Sequence, residues 1–353
     1  MNVLVLGGSG YIGSRLVALM RADGRDTPVC ASRHTDARTQ SGSDALRLDT
    51  RDEAALTDAL YGMDAVVNCV TGSASAIVGG AYALARAARA ARVTALVHLS
   101  SMVVYGEQQH VVDEASPLGT PRGWYARAKQ TAERQMLALA RSTSAQAPLP
   151  RVTVLRPGCV WGPGSALWVG RIVRWLRQGR LGDLGEDGDG WTHGVLVDDV
   201  CQAVLQALRR PAAIGVPRVL NLAAPDSPRW NTWFTDLALA MGATPLRRIR
   251  PSQLRADACL LGPPLHATGQ AMRWLARYAP VLPPQALPEP ITPGLLRLWR
   301  RQLKMDASAA THMLDLAWTP YPRALQLCVA GLTTSPATVS GAGHEPPETA
   351  RAR

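Results

Sequence analysis

The chain predicts an α/β fold built on a doubly wound parallel sheet, and three observations carry that reading. Val3-Leu4-Val5-Leu6 is a short apolar run that stops at a glycine cluster, as a strand buried on both faces does. Strand-like runs then alternate with helical periodicity as far as Leu155, which implies right-handed crossovers between parallel strands. After residue 160 the alternation weakens and proline thickens from Gly262 to Pro293. That change points to a smaller, irregular C-terminal lobe.

The first strand leads into a helix from Ile12 to Met20. Val29-Cys30-Ala31-Ser32 reads as the second strand and Leu46-Arg47-Leu48-Asp49 as the third. Ala54 to Leu60 has helical spacing, and Ala65 to Val70 is the fourth strand. Gly79 to Ala91 is an alanine-rich helix. Ala95 to Ser100 is the fifth strand, Trp124 to Arg141 a helix, and Val152 to Leu155 the sixth strand. Ser144 to Pro150 is a Pro/Ala-rich surface connection. The expected organisation is a core over 1–160, a region over 161–332 that completes the sheet and supplies the lobe, and a tail over 333–353. The tail is rich in Ser, Thr, Pro, Gly and Ala and is expected to be disordered.

At 353 residues, 47% hydrophobic and 18% charged, the composition is that of an ordinary globular protein. The net charge of +11 comes without a dense basic run or a nucleic-acid motif, so no nucleic-acid partner is expected. Cys30, Cys69, Cys159, Cys201, Cys259 and Cys328 show no paired spacing. They read as small buried hydrophobes in a reducing compartment, with no metal site. No charged leader precedes the first strand and no run of 18 apolar residues occurs, so a cytoplasmic protein without a membrane span is expected.

Gly7-Gly8-Ser9-Gly10-Tyr11-Ile12-Gly13 joins the first strand to the first helix. Without Cβ atoms in the way, backbone N–H groups there can approach a pyrophosphate, and the helix N-terminus adds positive potential. Gly7, Ser9, Gly10, Tyr11, Ile12 and Gly13 are therefore candidate contacts to a dinucleotide in a Rossmann core. About 20 residues past such a turn, an acidic residue suits the ribose 2′-hydroxyl of NAD and an arginine suits the 2′-phosphate of NADP. Ser32-Arg33-His34 stands there, with no carboxylate before Asp36. Arg33 thus selects NADP, with NAD as the alternative. Asp49, at the end of the third strand, is placed to meet the adenine amino group.

Lysine is almost absent: Lys129 and Lys304 are the only two among 38 basic residues. One of them follows Tyr125 by four places, in Tyr125-Ala126-Arg127-Ala128-Lys129. With seven tyrosines, chance gives that spacing only about 4% of the time. Residues i and i+4 share a helix face. A compact ammonium can sit beside a phenol and still donate to a third group, which a planar guanidinium cannot.

Leu99-Ser100-Ser101-Met102-Val103-Val104-Tyr105-Gly106 ends the fifth strand at the carboxyl edge of the sheet. With these residues in place the chain resembles the extended branch of the short-chain dehydrogenase/reductase superfamily, the epimerase/dehydratase-like group. The resemblance covers residues 1 to 330 or so. It also rests on Asp113-Glu114, on Glu133 after Lys129, on Leu155-Arg156-Pro157-Gly158-Cys159-Val160-Trp161-Gly162-Pro163, and on His193 followed by Val197-Asp198-Asp199-Val200. It implies that Tyr125 is the general acid/base and that Lys129 lowers the phenol pKa and holds the nicotinamide ribose. Ser101 would hydrogen-bond the reacting oxygen, with Ser100 the neighbouring candidate. Further cofactor contacts are implied for Thr50, Val70 and Pro157. His193 would line the far side of the substrate cleft or act as a structural hydrogen-bonder.

Departures from the family pattern narrow the chemistry. Met102 and Val103 stand where dehydratases resemble one another in an Asp-Glu pair, so dehydration is discounted. Cys159 stands where nucleotide-sugar members commonly carry Asn. Ile77 falls near the register of the family's helical Asn. The expected function is NAD(P)-dependent hydride transfer between the nicotinamide and a ketone, aldehyde or secondary alcohol of a small or lipophilic substrate. A nucleotide-sugar epimerase is the alternative, and a non-catalytic NAD(P)-sensing protein the third reading. Trp274, Leu275, Tyr278, Leu295, Leu296, Leu298 and Trp299 offer a lipophilic pocket, a lobe core or an oligomer contact. A homodimer is compatible with that surface.

Overall fold

The structure is a computed structural model that describes residues 1–33, 45–142, 149–265, 267–268 and 289–333. The first half runs β1 (Asn2–Leu6), α1 (Tyr11–Asp23), β2 (Thr27–Ser32), β3 (Ala45–Arg47), α2 (Glu53–Leu60), β4 (Ala65–Asn68), α3 (Ala74–Ala90), β5 (Ala95–Leu99), β6 (Val111–Val112), α4 (Gly123–Arg141) and β7 (Arg151–Pro157). The second half adds β8 (Cys159–Trp161), α5 (Arg171–Arg177), β9 (Gly194–Leu196), α6 (Val197–Arg209), β10 (Arg218–Leu222), α7 (Trp230–Ala240), α8 (Pro251–Ala256), α9 (Pro293–Arg300), β11 (Lys304–Met305), α10 (Ser308–Leu314) and α11 (Tyr321–Thr333).

Seven strands form one parallel sheet in the order β10-β7-β5-β4-β1-β2-β3. The strand period of two decides what covers each face. Val3 and Val5 join Val67, Val97 and Leu155 in a core under α1 and α6. Leu4 and Leu6 join Val66, Leu96 and Val154 in a second core under α2, α3 and α4. Apolar residues on both faces of each strand are therefore what a doubly wound sheet requires, and that is why these strands read as unbroken apolar runs.

Strand ends shift by a few residues for local reasons. β4 stops at Asn68, two residues early, because the Asn68 side chain accepts from Val70 N at 3.0 Å and turns the chain out of the ladder. β3 is short, and Asp49 lies in the loop beyond it rather than at a strand end. Asp52, not Asp49, caps α2, accepting from Ala55 N at 3.1 Å.

The second half supplies the seventh strand, β10, paired to β7, together with two small sheets, β8/β9 and β6/β11. Its core is aromatic. Trp161 stacks on Trp233 with ring centroids 4.2 Å apart, and Trp299 meets Trp175 and Phe234 edge-on. Leu295 and Trp299 are buried in this cluster and Leu296 and Leu298 pack against it, so these four are lobe core. Trp274, Leu275, Tyr278 and most of the 333–353 tail lie outside the described residues.

Candidate active site

The glycine turn after β1 is tied to β2: Gly7 N and Gly8 N both donate to Ala31 O, at 2.9 and 3.1 Å. Gly7 has φ 74°, and a Cβ on Gly13 would run into the Gly7 carbonyl oxygen. Only glycine lets α1 start this close to the turn. Gly10 caps α1 without a side-chain oxygen, so the opening N–H groups of the helix remain available to an anion. Ser9 is exposed beside them. Tyr11 turns its hydroxyl inward against Gly162, and burial pushes that phenol far above its ordinary pKa. Ile12 is half-buried against the α1/α6 core.

At the same carboxyl edge, just after β2, Arg33 is exposed and its guanidinium lies beside Gly72, in the loop after β4. Asp49 is gripped by Arg51, whose Nη2 lies 2.6 Å from one carboxylate oxygen. That bond holds the Asp49 carboxyl down at about 2. Thr50 is buried with its hydroxyl against Gly80 of α3, which leaves its backbone for any cofactor contact. His34 and Asp36 lie outside the described residues.

Tyr125 sits in the first turn of α4, where its hydroxyl is near enough to those of Ser101 and Thr71 for both to favour the phenolate. Burial holds the phenol above its ordinary value, against the lowering effect of those two hydroxyls. One helical turn on, Lys129 is buried and donates to Leu99 O at 2.9 Å and Val70 O at 3.4 Å, at the ends of β5 and β4. Its ammonium is 5.9 Å from the centre of the Tyr125 ring. Burial lowers its pKa to about 8, with Cys69 and Glu133 opposing. The expected lowering of the phenol by Lys129 is thus not what governs Tyr125 in this arrangement; burial prevails. Val70 is fixed in turn by Asn68, which also meets the buried His98 ring at 3.1 Å.

The two serines separate cleanly. Ser100 is buried and donates to Glu133 at 2.5 Å, whereas Ser101 is the one beside Tyr125. Glu133, one turn beyond Lys129, forms an ion pair with Arg156 at 2.5 Å in the interior. Arg156 donates to the Tyr105 oxygen at 2.7 Å, and that hydroxyl lies 2.7 Å from Asn221 Oδ1. A continuous polar chain therefore locks α4 to β5, β7 and β10. On the opposite side, Pro157 ends β7, and Cys159 N donates to His193 O at 3.0 Å. His193 has φ 49°, and its Nε2–H donates to Leu303 O at 2.7 Å. Burial lowers its pKa to about 4, so the ring is neutral and Nδ1 carries a lone pair. Cys159 is buried, and burial pushes its thiol up.

A model of the NAD dependent epimerase/dehydratase family matches residues 3–223. The chain belongs to that family. It is 28% identical over 220 residues to a 2-alkyl-3-oxoalkanoate reductase of Stenotrophomonas maltophilia, covering 58% of this chain and 64% of the relative. It is 29% identical over 229 residues to short-chain dehydrogenase/reductase family 42E member 1 of Danio rerio, covering 58% of each chain. The matches thus span 58–64% of these curated relatives' length. Among solved structures, a UDP-glucuronic acid 4-epimerase from Bacillus cereus, in complex with UDP-glucuronic acid and NAD, superposes with a TM-score of 0.70 at 18% identity. That superposition covers 94% of this chain and 99% of the neighbour, and it shows the fold.

The residues present fit the family's dinucleotide. The cradle that a Cβ on Gly13 would fill and the uncapped start of α1 suit a pyrophosphate. Membership places the chain in an NAD dependent epimerase/dehydratase family without naming a reaction or a substrate. Sequence reasoning missed two groups that the fold brings to this region, Thr71 and Arg301, and the partners of a third, Glu133. Thr71 follows Val70 directly, so its place at a strand end was the available signal. Glu133 was visible in the motif but its partners were not. Arg301 sits among many arginines, and nothing in its sequence setting distinguishes it. Among the described residues no helix is long and apolar enough to cross a membrane.

Proposed function

We propose that this chain is an NADP(H)-dependent reductase that reduces the carbonyl of a small or lipophilic ketone or aldehyde to an alcohol. The observation that carries the reading is the convergence of Tyr125 and Ser101 beside the carbonyl-anchored Lys129, at the carboxyl edge of the sheet. The cofactor, when bound, supplies the hydride. Gly7, Ser9, Gly10, Tyr11, Ile12 and Gly13 hold its phosphates through the turn. Arg33 meets the ribose phosphate, Asp49 and Thr50 line the adenosine end, and Val70 and Pro157 flank the nicotinamide end. Ser101 donates to the carbonyl oxygen and orients it. Tyr125 gives that oxygen a proton, and its raised pKa keeps the phenol protonated near neutral pH, as an acid in the reduction direction must be. Lys129 and Thr71 then stabilise the phenolate left behind until water re-protonates it.

An epimerase has to return a hydride to the same sugar and bind a nucleoside diphosphate. Arg33 in place of a carboxylate and the buried Cys159 both favour the reductase. The test is cofactor consumption with NADPH or NADH against a panel of ketones, aldehydes and UDP- or dTDP-sugars. NADPH oxidation with a ketone is expected. Sugar epimers formed without net cofactor oxidation, and no ketone turnover, would overturn the reading in favour of an epimerase. NADPH binding with no turnover of any compound would favour a sensing role.

A further inference from the structure

Arg301, directly after α9, is partly buried, and its Nε and Nη2 hydrogens meet no acceptor although both atoms are shielded from solvent. Burial pulls its pKa down to about 10. Its backbone is pinned: Arg301 O accepts from Trp191 N at 3.1 Å, and Gly190 packs so closely that a Cβ there would lie 2.6 Å from Arg301 N. The guanidinium is near enough to His193 and to Cys159 for its charge to act on both. Neither can neutralise it, because His193 is a neutral ring already bonded to Leu303 O and the Cys159 thiol stays protonated. The charge of Glu107 reaches Arg301, but this carboxylate and others on the neighbouring segments are each paired with another arginine. Glu107 pairs with Arg122 at 2.9 Å, Asp187 with Arg300 at 2.6 Å, and Asp189 with Arg229 at 3.7 Å. A shielded guanidinium with two idle donors is costly to maintain unless an anion completes it.

We propose that Arg301 is the docking point for an anionic group of the substrate, a carboxylate in the simplest case, received by Nε–H and Nη2–H as a fork. The position gives the proposal its meaning. Arg301 acts on Cys159, two residues beyond Pro157 at the end of β7, and β7 is paired with β5, the strand that leads into Ser100 and Ser101. A molecule with its carbonyl at Tyr125 and its anion at Arg301 is an oxo acid. This deepens the reductase reading and rests on it for the carbonyl end alone.

The test uses full-length protein saturated with NADPH, in chloride buffer without phosphate or sulfate. Butanoate, octanoate and their methyl esters are the probes, and calorimetry is the readout. The carboxylates are expected to bind more tightly than their esters. Arg301→Gln should weaken carboxylate binding about 10- to 100-fold, leave the weak ester binding as it was, and keep NADPH binding as a control for folding. Arg301→Lys should recover part of the loss, since it keeps the charge without the fork. Arg301→Met should melt no lower than the wild type in anion-free buffer, because it removes an unpaired charge; a lower melting temperature would assign Arg301 a structural role and overturn the proposal. Equal carboxylate binding by wild type and Arg301→Gln, or no preference over the esters, would also overturn it. Because these probes need no hydride transfer, ketone turnover without carboxylate preference removes this proposal alone. Carboxylate docking without turnover of any carbonyl removes the reductase reading alone.

Discussion

Two polar regions connect to the β7–β8 segment, one through Arg156 and one through Cys159, and they are finished to different degrees. Around α4 the buried polar groups are mostly paired, His98 Nε2 being an exception. Lys129 has two carbonyls, Gln130 donates to Val104 O and Gly119 O at 2.8 and 2.6 Å, and Glu133 holds Ser100 and Arg156. Around β9 and the end of α9, His193 Nδ1, Arg301 Nε and Nη2, and the Trp230 and Trp299 indole nitrogens have no partner. Buried polar groups are almost always satisfied, so a cluster of exceptions is informative. The first region is rigid before anything binds, as proton chemistry requires. The second leaves donors to be met by something from outside the chain.

If the α4 region is the chemical one, the largest effect should come from a single oxygen. Tyr125→Phe should lower kcat by about 10²–10⁴-fold, the usual worth of a positioned acid, with NADPH binding retained. More than a tenth of the wild-type rate in single-turnover assays would remove Tyr125 from that role. Next comes the network beneath it. Glu133→Ala leaves Arg156 buried without its partner and should cost about 3–5 kcal/mol in urea denaturation. A loss below about 1 kcal/mol would mean that the α4 region is not the interlocked one and would weaken the comparison with the β9 side.

Lys129 sharpens the comparison through pH. Its folded pKa of about 8 lies below the ordinary lysine value of 10.5, because burial disfavours the ammonium. Between those two values the unfolded chain binds more protons than the folded one, so stability from this group rises with pH across that window. The stability gap between wild type and Lys129→Met should therefore shift in favour of wild type from pH 8 to pH 10.5, by a total on the order of 3 kcal/mol. The comparison cancels other groups that titrate there. A gap that is flat in pH would mean that Lys129 is better solvated than its contacts with Leu99 and Val70 imply.

Legibility follows the same division. The sheet, the glycine turn and the pair Tyr125–Lys129 could be read because each depends on local spacing: apolar runs, glycines at a strand end, one helical turn. β10 was not identified as a strand because Arg218 and Asn221 interrupt its apolar character; Asn221 is there to accept the Tyr105 network and to donate to Asp306 O at 2.9 Å. The α6 helix begins inside the motif Val197-Asp198-Asp199-Val200, whose acidic pair masks the apolar stripe behind it. Trp299 reads as pocket or core from sequence, and only its packing on Trp175 and Phe234 decides for core. Thr71, Glu133 and Arg301 owe their surroundings to residues far away in the chain, which no local pattern records.

The cofactor prediction carries the smallest expected effect and reaches outside both regions. Arg33 follows β2 in the open, beside Gly72 and near the Asp49–Arg51 pair, and no ion pair of its own is seen among the described residues. A charge-assisted bond from Arg33 to a 2′-phosphate should be worth about 1.5–3 kcal/mol, or about 10- to 150-fold in affinity. NADPH should accordingly bind more tightly than NADH. The preference should shrink with added salt, since the guanidinium is exposed and screening is strong there. Arg33→Ala should bring NADPH down to the NADH level while leaving NADH itself nearly unchanged. Arg51→Ala is the necessary contrast, because Arg51 spends its guanidinium on Asp49 and should contribute less to the phosphate. A wild type that prefers NADH, or an Arg33→Ala variant that loses both cofactors equally, would transfer the selectivity to other residues. It would also favour the epimerase alternative, in which a retained NAD lends the hydride and recovers it.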